Sequence, residues 1–473
     1  MTFDPDAAPW ESPVPQAQPG PGDRPETALQ GQTTVAEREN GDAERAYTAN
    51  LQLVGSFPGE GAEGFQMAWV GDFAYVPTHN SPHQEHPGTI VIDASDPARP
   101  HPTAYLTSPA MLDPHEALHV HPGRMLLAGA ENTSFTDPLP KAMSFDVYDI
   151  AADPGHPVLL SSVEIPGAVG HGGNFTPDGR TFFVGANLVD GIYAIDLADP
   201  SNPVALPRID ERAHDFVFNA DGTRAYIAHA GHFPPMFPEL TGDNGLVILD
   251  VSDYQYRRPD PQARVVSRLY WEDGGGAHMQ LSRLVTYDGR PYVVMGDEMG
   301  GGEHFGEGRS GPYHHGVAPD GFIRIIDVSD EQNPRVVSKL MLEVSDPRNA
   351  GAKDDHIGYG GYSSHYCGVD RYEDPRLLAA TYRQAGVRVF DIRNPFRPRE
   401  IAYYKPPLRT GMPLPGSWRE SEDQGGLGTS TTDHSGSQVR FVERDGELHL
   451  WFTSTDNGFQ VLRFTRPLDE LLA

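Results

Sequence analysis

The hydrophobic residues of this chain fall in short alternating runs, and the runs recur. One kind opens on a histidine, rises through a strand, breaks at a turn containing Asp or Gly, and rises again. HEALHVHPGRMLLAGA from His115, HGGNFTPDGRTFFVGA from His171 and HDFVFNADGTRAYIA from His214 share this layout. Looser copies start at His278, His365 and His434. Two alternating runs around such a turn predict a β-hairpin. A second kind of run follows each hairpin, as in GTIVIDASDPARP from Gly88, GIYAIDLADPSNP from Gly191, GFIRIIDVSDEQNP from Gly321 and GVRVFDIRNPFRP from Gly386. A glycine admits the chain, β-formers alternate, and an aspartate precedes a turn that usually carries proline. Asp93, Asp149, Asp196, Asp250, Asp327 and Asp391 hold that aspartate position. A carboxylate there accepts hydrogen bonds from turn N–H groups while proline ends the ladder, so these aspartates are expected to be structural.

A hairpin, an Asp-ended strand and one further short strand make a four-stranded unit. Seven such units, at periods of roughly 40 residues or more, predict an all-β chain folded as a seven-bladed β-propeller. The last unit lacks a fourth strand, because the chain ends soon after Pro467. An orphan run, NLQLVGSF from Asn50 to Phe57, precedes the first hairpin and matches the fourth strands VVSKLML and EIAYYK in character. It is expected to complete blade seven beside Gly458 to Phe464, closing the ring and removing an exposed edge. The domain plan is therefore one propeller over residues 46–473, preceded by a Pro- and Gly-rich arm, residues 1–45, that is disordered or draped on the surface.

The strings IVIDASDP, AIDLADP, VILDVSD and IIDVSD resemble the LVIVD-repeat β-propeller proteins, over roughly residues 50 to 467. That resemblance implies architecture more than activity. More distantly the chain is similar to the selenium-binding protein and methanethiol oxidase group, propellers with histidines near the axis and a copper-dependent oxidase activity. No continuous motif of that group is present.

Charge narrows the partners. With 36 basic and 66 acidic residues the formal net charge is -30, which argues against nucleic acids and anionic membranes and suits cations. A single cysteine, Cys367, rules out an intrachain disulfide framework and fits a reducing compartment. The first residues show no basic segment followed by an apolar one, and no long apolar run occurs, so a cytoplasmic protein is expected.

The long insertions fall in two classes of loop that share one face of a propeller, the lead-in to the inner strand and the connection from second to third strand. Long loops in a compact domain usually bind or cover something. That is also the face of the repeated histidines. Side chains inside a radial blade pack against neighbouring blades, whereas residues at the loop-to-strand junction lean over the central channel. His115, His171, His214, His278, His365 and His434 all stand at that junction, and Gln66 is the closest counterpart in blade one. Histidine is only 20 of 473 residues, so six repeats of one register are not accidental. They could be a fossil of the ancestral blade that fixes the lead-in loop. Convergence on one axis favours the other reading, a ring of neutral imidazoles that binds a transition metal, Cu or Fe ahead of Zn.

Around them, His229, Glu298, His304, His315 and Cys367 are candidates for supporting or proton-transfer groups. Cys367, two residues into its strand, reads first as a small buried hydrophobe. No HExxH motif, paired CxxC, phosphate loop or serine nucleophile motif is present. Two functions remain: a metal-dependent oxidoreductase acting on a small molecule, with O2 as a possible co-substrate, or a non-catalytic propeller that binds a ligand or protein on its elaborated face.

Overall fold

In a computed structural model, which describes residues 3–134, 138–187, 189, 191–232, 241–271, 276–300, 318–352, 361–411, 413–423 and 434–473, the alternating runs form seven antiparallel sheets. Blade one comprises Ala68–Val70, Phe73–Val76, Thr89–Asp93 and His101–Leu106 in spatial order. Blades two to six repeat that order, and blade seven is built from Arg440–Arg444, Glu447–Ser454 and Gly458–Phe464. Its outer strand is Leu51–Phe57, paired antiparallel from Leu51 with Phe464 to Phe57 with Phe459. The ring is closed by the N-terminal segment, as the orphan run predicts.

The aspartates take the turn role. Asp93, Asp149, Asp196, Asp250, Asp327 and Asp391 each accept a bond from the N–H two residues on, at 2.7, 2.8, 2.7, 2.9, 2.9 and 3.1 Å respectively. Six repeats of one Asx turn fix where the third strand of each blade stops. Between blades the sheets pack face to face through apolar residues. Tyr75 and Val91 of blade one, for instance, join Leu118, Leu127 and Tyr148 of blade two in one buried cluster.

One feature exceeds the sequence pattern. Tyr47–Ala49 pairs with Arg399–Lys405 as a fifth strand of blade six, and the chain then passes to blade seven at Asn50. Asn50 has φ 57°, a left-handed conformation that asparagine tolerates better than most residues. Its side-chain amide donates to the carbonyls of Gln18 and Ile401 at 2.9 and 2.8 Å. The arm before it lies against blades five and six. Trp10 N–H donates to Val337 O, and Glu400 N–H donates to Pro15 O, each at 3.0 Å. The Glu26 side chain is buried and pairs with Arg388 and Lys405. Among the described residues no helix is long and apolar enough to cross a membrane.

Candidate metal centre on the propeller axis

The junction residues emerge from the inner edge of each blade with their backbones already bonded. His214 N–H donates to Ala228 O, and His365 N–H donates to Thr381 O, both at 2.9 Å, across their own hairpins. The side chains are thereby turned inward, and all six histidines are buried, none more than 4% exposed. Consecutive rings meet around the channel: His115 and His171 at 4.6 Å between centroids, His171 and His214 at 4.5 Å, His214 and His278 at 5.1 Å. His115 and His278 hold φ values of 46° and 53°. Left-handed backbone at non-glycine residues costs of order 1 kcal/mol or more and tends to cluster at functional sites.

Two carboxylates stand among the rings. Glu116 follows His115 directly, and an isolated parallel bridge between Glu116 and Gly172 holds it against blade three. Its Oε2 lies 3.2 Å from His214 Nε2 and 3.5 Å from His171 Nε2, while Oε1 lies 3.3 Å from His365 Nε2. His171 Nε2 and His214 Nε2 are themselves 3.0 Å apart. Glu116 Oε2 is buried without accepting a hydrogen bond, whereas Oε1 accepts from Gln280 Nε2 at 2.7 Å. Glu298 is the second carboxylate, 2.9 Å from His278 Nε2, 3.8 Å from His365 Nε2 and 4.0 Å from His214 Nε2, and it pairs with the buried Arg383. Two groups, His115, Glu116, His171 and His214, His278, Glu298, each bring three ligand atoms within 4.8 Å of one another.

The far nitrogens of three rings are held from outside. His115 Nδ1 pairs with Glu63, His171 Nδ1 stands 2.9 Å from Ser134 Oγ, and His365 Nδ1 donates to Gly436 O. Their Nε2 atoms are then directed by the second partner, the arrangement that orients metal-binding imidazoles. Burial holds His171, His214, His365 and His434 well below the ordinary histidine value, reinforced by His214, by His278 and, for the last two, by Arg383. These four are neutral imidazoles, the form that ligates. His115 differs: burial would lower it, but the Glu63 charge and hydrogen bond prevail and raise it to about 9. Burial lifts the Glu116 carboxyl well above its usual value, with the charges of Glu298 and Glu63 adding to that and His115 opposing it. For Glu298 burial is overcome by His278 and Arg383, which keep it well below.

The remaining positions separate clearly. His434 Nε2 accepts from Arg383 Nη1 at 2.9 Å, so its inward nitrogen meets a guanidinium and not a carboxylate. In blade one the residue among the rings is Phe65, not Gln66. Its ring centroid lies 5.2 Å from His115, 5.1 Å from His365 and 5.8 Å from His434. Gln66 instead donates to Glu116 O at 3.1 Å and meets His119 Nε2 at 3.2 Å. His229 pairs with Glu211 at 3.2 Å, and its Nδ1 donates to Asp243 O at 2.7 Å. Cys367 packs in an apolar cluster with Val285 and Leu378, and burial pushes its thiol up to about 12. A thiolate ligand is disfavoured there. His304 and His315 lie outside the described residues.

Glu116, Glu63, Phe65 and Arg383 were not singled out from sequence. Glu116 and Glu63 carry a weak signal, an acidic residue beside the junction position of a blade. Arg383 lies in the second-to-third-strand turn of blade six, on the elaborated face, with φ 38°.

No family model matches the chain, and no curated protein matches it. Solved structures are similar to it at low identity. The periplasmic gluconolactonase of Pseudomonas aeruginosa is 12% identical, over 84% of this chain and 99% of that one, with a TM-score of 0.49. Hydrazine synthase of Kuenenia stuttgartiensis is 14% identical over 86% and 96%, with the same score of 0.49. A Lactobacillus plantarum protein is 10% identical over 84% and 100%, again at 0.49.

Proposed function

We propose that the axial histidines and glutamates hold a transition metal and that the chain is a metal-dependent oxidoreductase acting on a small molecule. One observation carries the reading: three neutral imidazole Nε2 atoms surround one buried carboxylate at 3.2 to 3.5 Å. Ligands bonded at about 2.0–2.2 Å to a common ion stand about 3 to 3.5 Å from their neighbours. The donors are already at that spacing. Glu116 Oε2 is a buried acceptor without a hydrogen bond, and a cation would satisfy it.

The donor set bears on the metal. An all-imidazole ring would suit copper, but each group here joins two histidines to one glutamate. Two histidines and one carboxylate are the donor set of non-haem iron oxygenases, so iron stands ahead of copper. When bound, such an ion leaves positions open to O2 and a substrate. The chain's own residues then have distinct tasks. Glu63, Ser134 and Gly436 orient the imidazoles, Arg383 holds Glu298, and Phe65 with Trp418, 4.8 Å apart between centroids, forms an apolar wall beside the rings.

A second reading follows from the same carboxylates, since two histidines and a glutamate also serve hydrolytic zinc. The two are separated by loading the full-length chain anaerobically with Fe(II) and adding nitric oxide as an O2 surrogate. An EPR signal from the nitrosyl adduct in the wild type, absent in His214→Ala and Glu116→Gln, is expected. Zn(II) binding without an iron signal would favour hydrolysis. A chain that takes up neither metal would be a binding propeller.

A further inference from the structure

Beyond the axial rings, blade one and the lead-in to blade two bring together a second set of donors. Glu63, His79 and Asp113 each present one ligand atom, and the three lie within 4.8 Å of one another. Their backbones are pinned: Glu63 N–H donates to Pro77 O at 3.0 Å, His79 N–H to Gly416 O at 2.7 Å, and Asp113 O accepts from Asn132 N–H at 2.9 Å. Glu63 is fully buried. One of its oxygens is committed to His115 Nδ1, while Oε2 is buried with no hydrogen-bond partner. His79 Nδ1 and Asp113 Oδ1 are likewise buried and unpartnered. His79 Nδ1 stands 3.7 Å from Asp113 Oδ2, too far for a hydrogen bond.

Three buried, unpartnered polar atoms within one cluster of ligand-bearing residues are costly unless something satisfies them. Among the described residues no lysine or arginine forms an ion pair with any of the three. In its neutral form His79 has a lone pair to give. Trp418, 5.9 Å from His79 between ring centroids, covers one side.

We propose that Glu63, His79 and Asp113 form a second divalent cation site, for a first-row ion such as Mn(II) or Zn(II), coupled to the axial centre through Glu63 and His115. Two carboxylate oxygens and one imidazole nitrogen suit such ions, which accept mixed O and N donors. Glu63 would ligate through Oε2 while its other oxygen orients His115, so loading one site biases the imidazole of the other. The sequence run Asp113-Pro114-His115-Glu116 thus supplies both sites from one short segment.

The site does not depend on the axial centre being loaded, and a titration separates them. Full-length protein is stripped with chelator, dialysed and titrated with Mn(II), following the loss of the aqueous Mn(II) EPR signal. Asp113→Asn and His79→Ala should each lose one equivalent, or weaken it at least tenfold, while His214→Ala keeps it. His79 lies at the rim, with a side chain 32% exposed, so its alanine variant decides the matter should Asp113→Asn fail to fold. Variants at Asp113 and His79 that titrate like the wild type overturn the proposal. So does a single equivalent lost only in His214→Ala, which would leave the axial reading standing alone. An equivalent lost in Asp113→Asn and kept in His214→Ala supports the second site even if the axial centre binds nothing.

Discussion

Replacing Glu298 by glutamine removes one charge and almost no volume from the centre of the ring. Arg383 is fully buried, its guanidinium facing Glu298 on one side and His434 on the other. The same carboxylate meets His278 Nε2 at 2.9 Å. At about 3 Å and an effective dielectric near 20, the Coulomb attraction of such a pair is about 5 kcal/mol. Desolvation offsets most of that in the intact pair, but removing one partner of a buried pair costs about 3–5 kcal/mol. Glutamine still accepts a hydrogen bond, so Glu298→Gln should cost about 3 kcal/mol. Unfolding entropy of about 2.1 cal/mol/K per residue gives roughly 1 kcal/mol/K for a 473-residue chain, and a fall in Tm of about 3 °C. The assay is a double-mutant cycle on metal-free protein by calorimetry, with Arg383→Gln as the second arm. The double variant should be clearly more stable than the sum of the single costs implies, with about 2 kcal/mol or more of coupling. Additive costs, or a Glu298→Gln variant within 1 kcal/mol of the wild type, would refute the reasoning.

Glu211 gives a pH signature: burial pushes its carboxyl up, but the hydrogen bonds from His229 and Arg268 outweigh that and hold it at about 2. A carboxyl lowered on folding contributes stability that is full above its ordinary value near 4.5 and fades as pH falls toward 2. Glu211→Gln should therefore melt below the wild type at pH 7, with the gap narrowing between pH 5 and 3; a gap constant with pH contradicts this. Asp250→Ala should lose about 1 kcal/mol by urea denaturation, through the 2.9 Å bond from Ser252 N–H, with metal content unchanged. A loss of bound metal in that variant would make the turn aspartates more than structural. Deleting residues 1–57 removes the strand that pairs with Gly458–Phe464 and should give aggregated protein in size-exclusion chromatography; a monomeric product would show that blade seven stands without it. With a net charge of -30, no gel shift of DNA or RNA is expected at physiological salt and micromolar protein.

Repetition made most of this molecule legible. Six aspartates in one register predict six Asx turns, and one orphan run predicts the closing strand, because local turn chemistry and strand alternation are written in neighbouring residues. The inward histidines were legible for the same reason. The carboxylates were not. Glu116 reads as an ordinary residue of a hairpin, and only its bridge to Gly172 of the next blade brings it among imidazoles from blades three, four and six. Glu63 and Phe65 belong to the blade whose junction departs from the repeat, so the register pointed to Gln66. Arg383 sits in a tight turn where nothing local announces a buried cation. Tyr47–Ala49 is three residues long, too short for alternation to mark it as a strand. What the sequence hid were contacts made across blades, which no window along one blade contains.

The most direct test of the metal reading is elemental analysis of the full-length protein produced with iron and copper present, beside His214→Ala and Glu116→Gln. The account predicts bound iron, or else copper, near one ion per chain in the wild type. It predicts that this ion falls away in both variants while their melting stays cooperative. A wild-type chain that holds neither metal, even after anaerobic reconstitution with Fe(II), would contradict it, as would the same content in all three proteins.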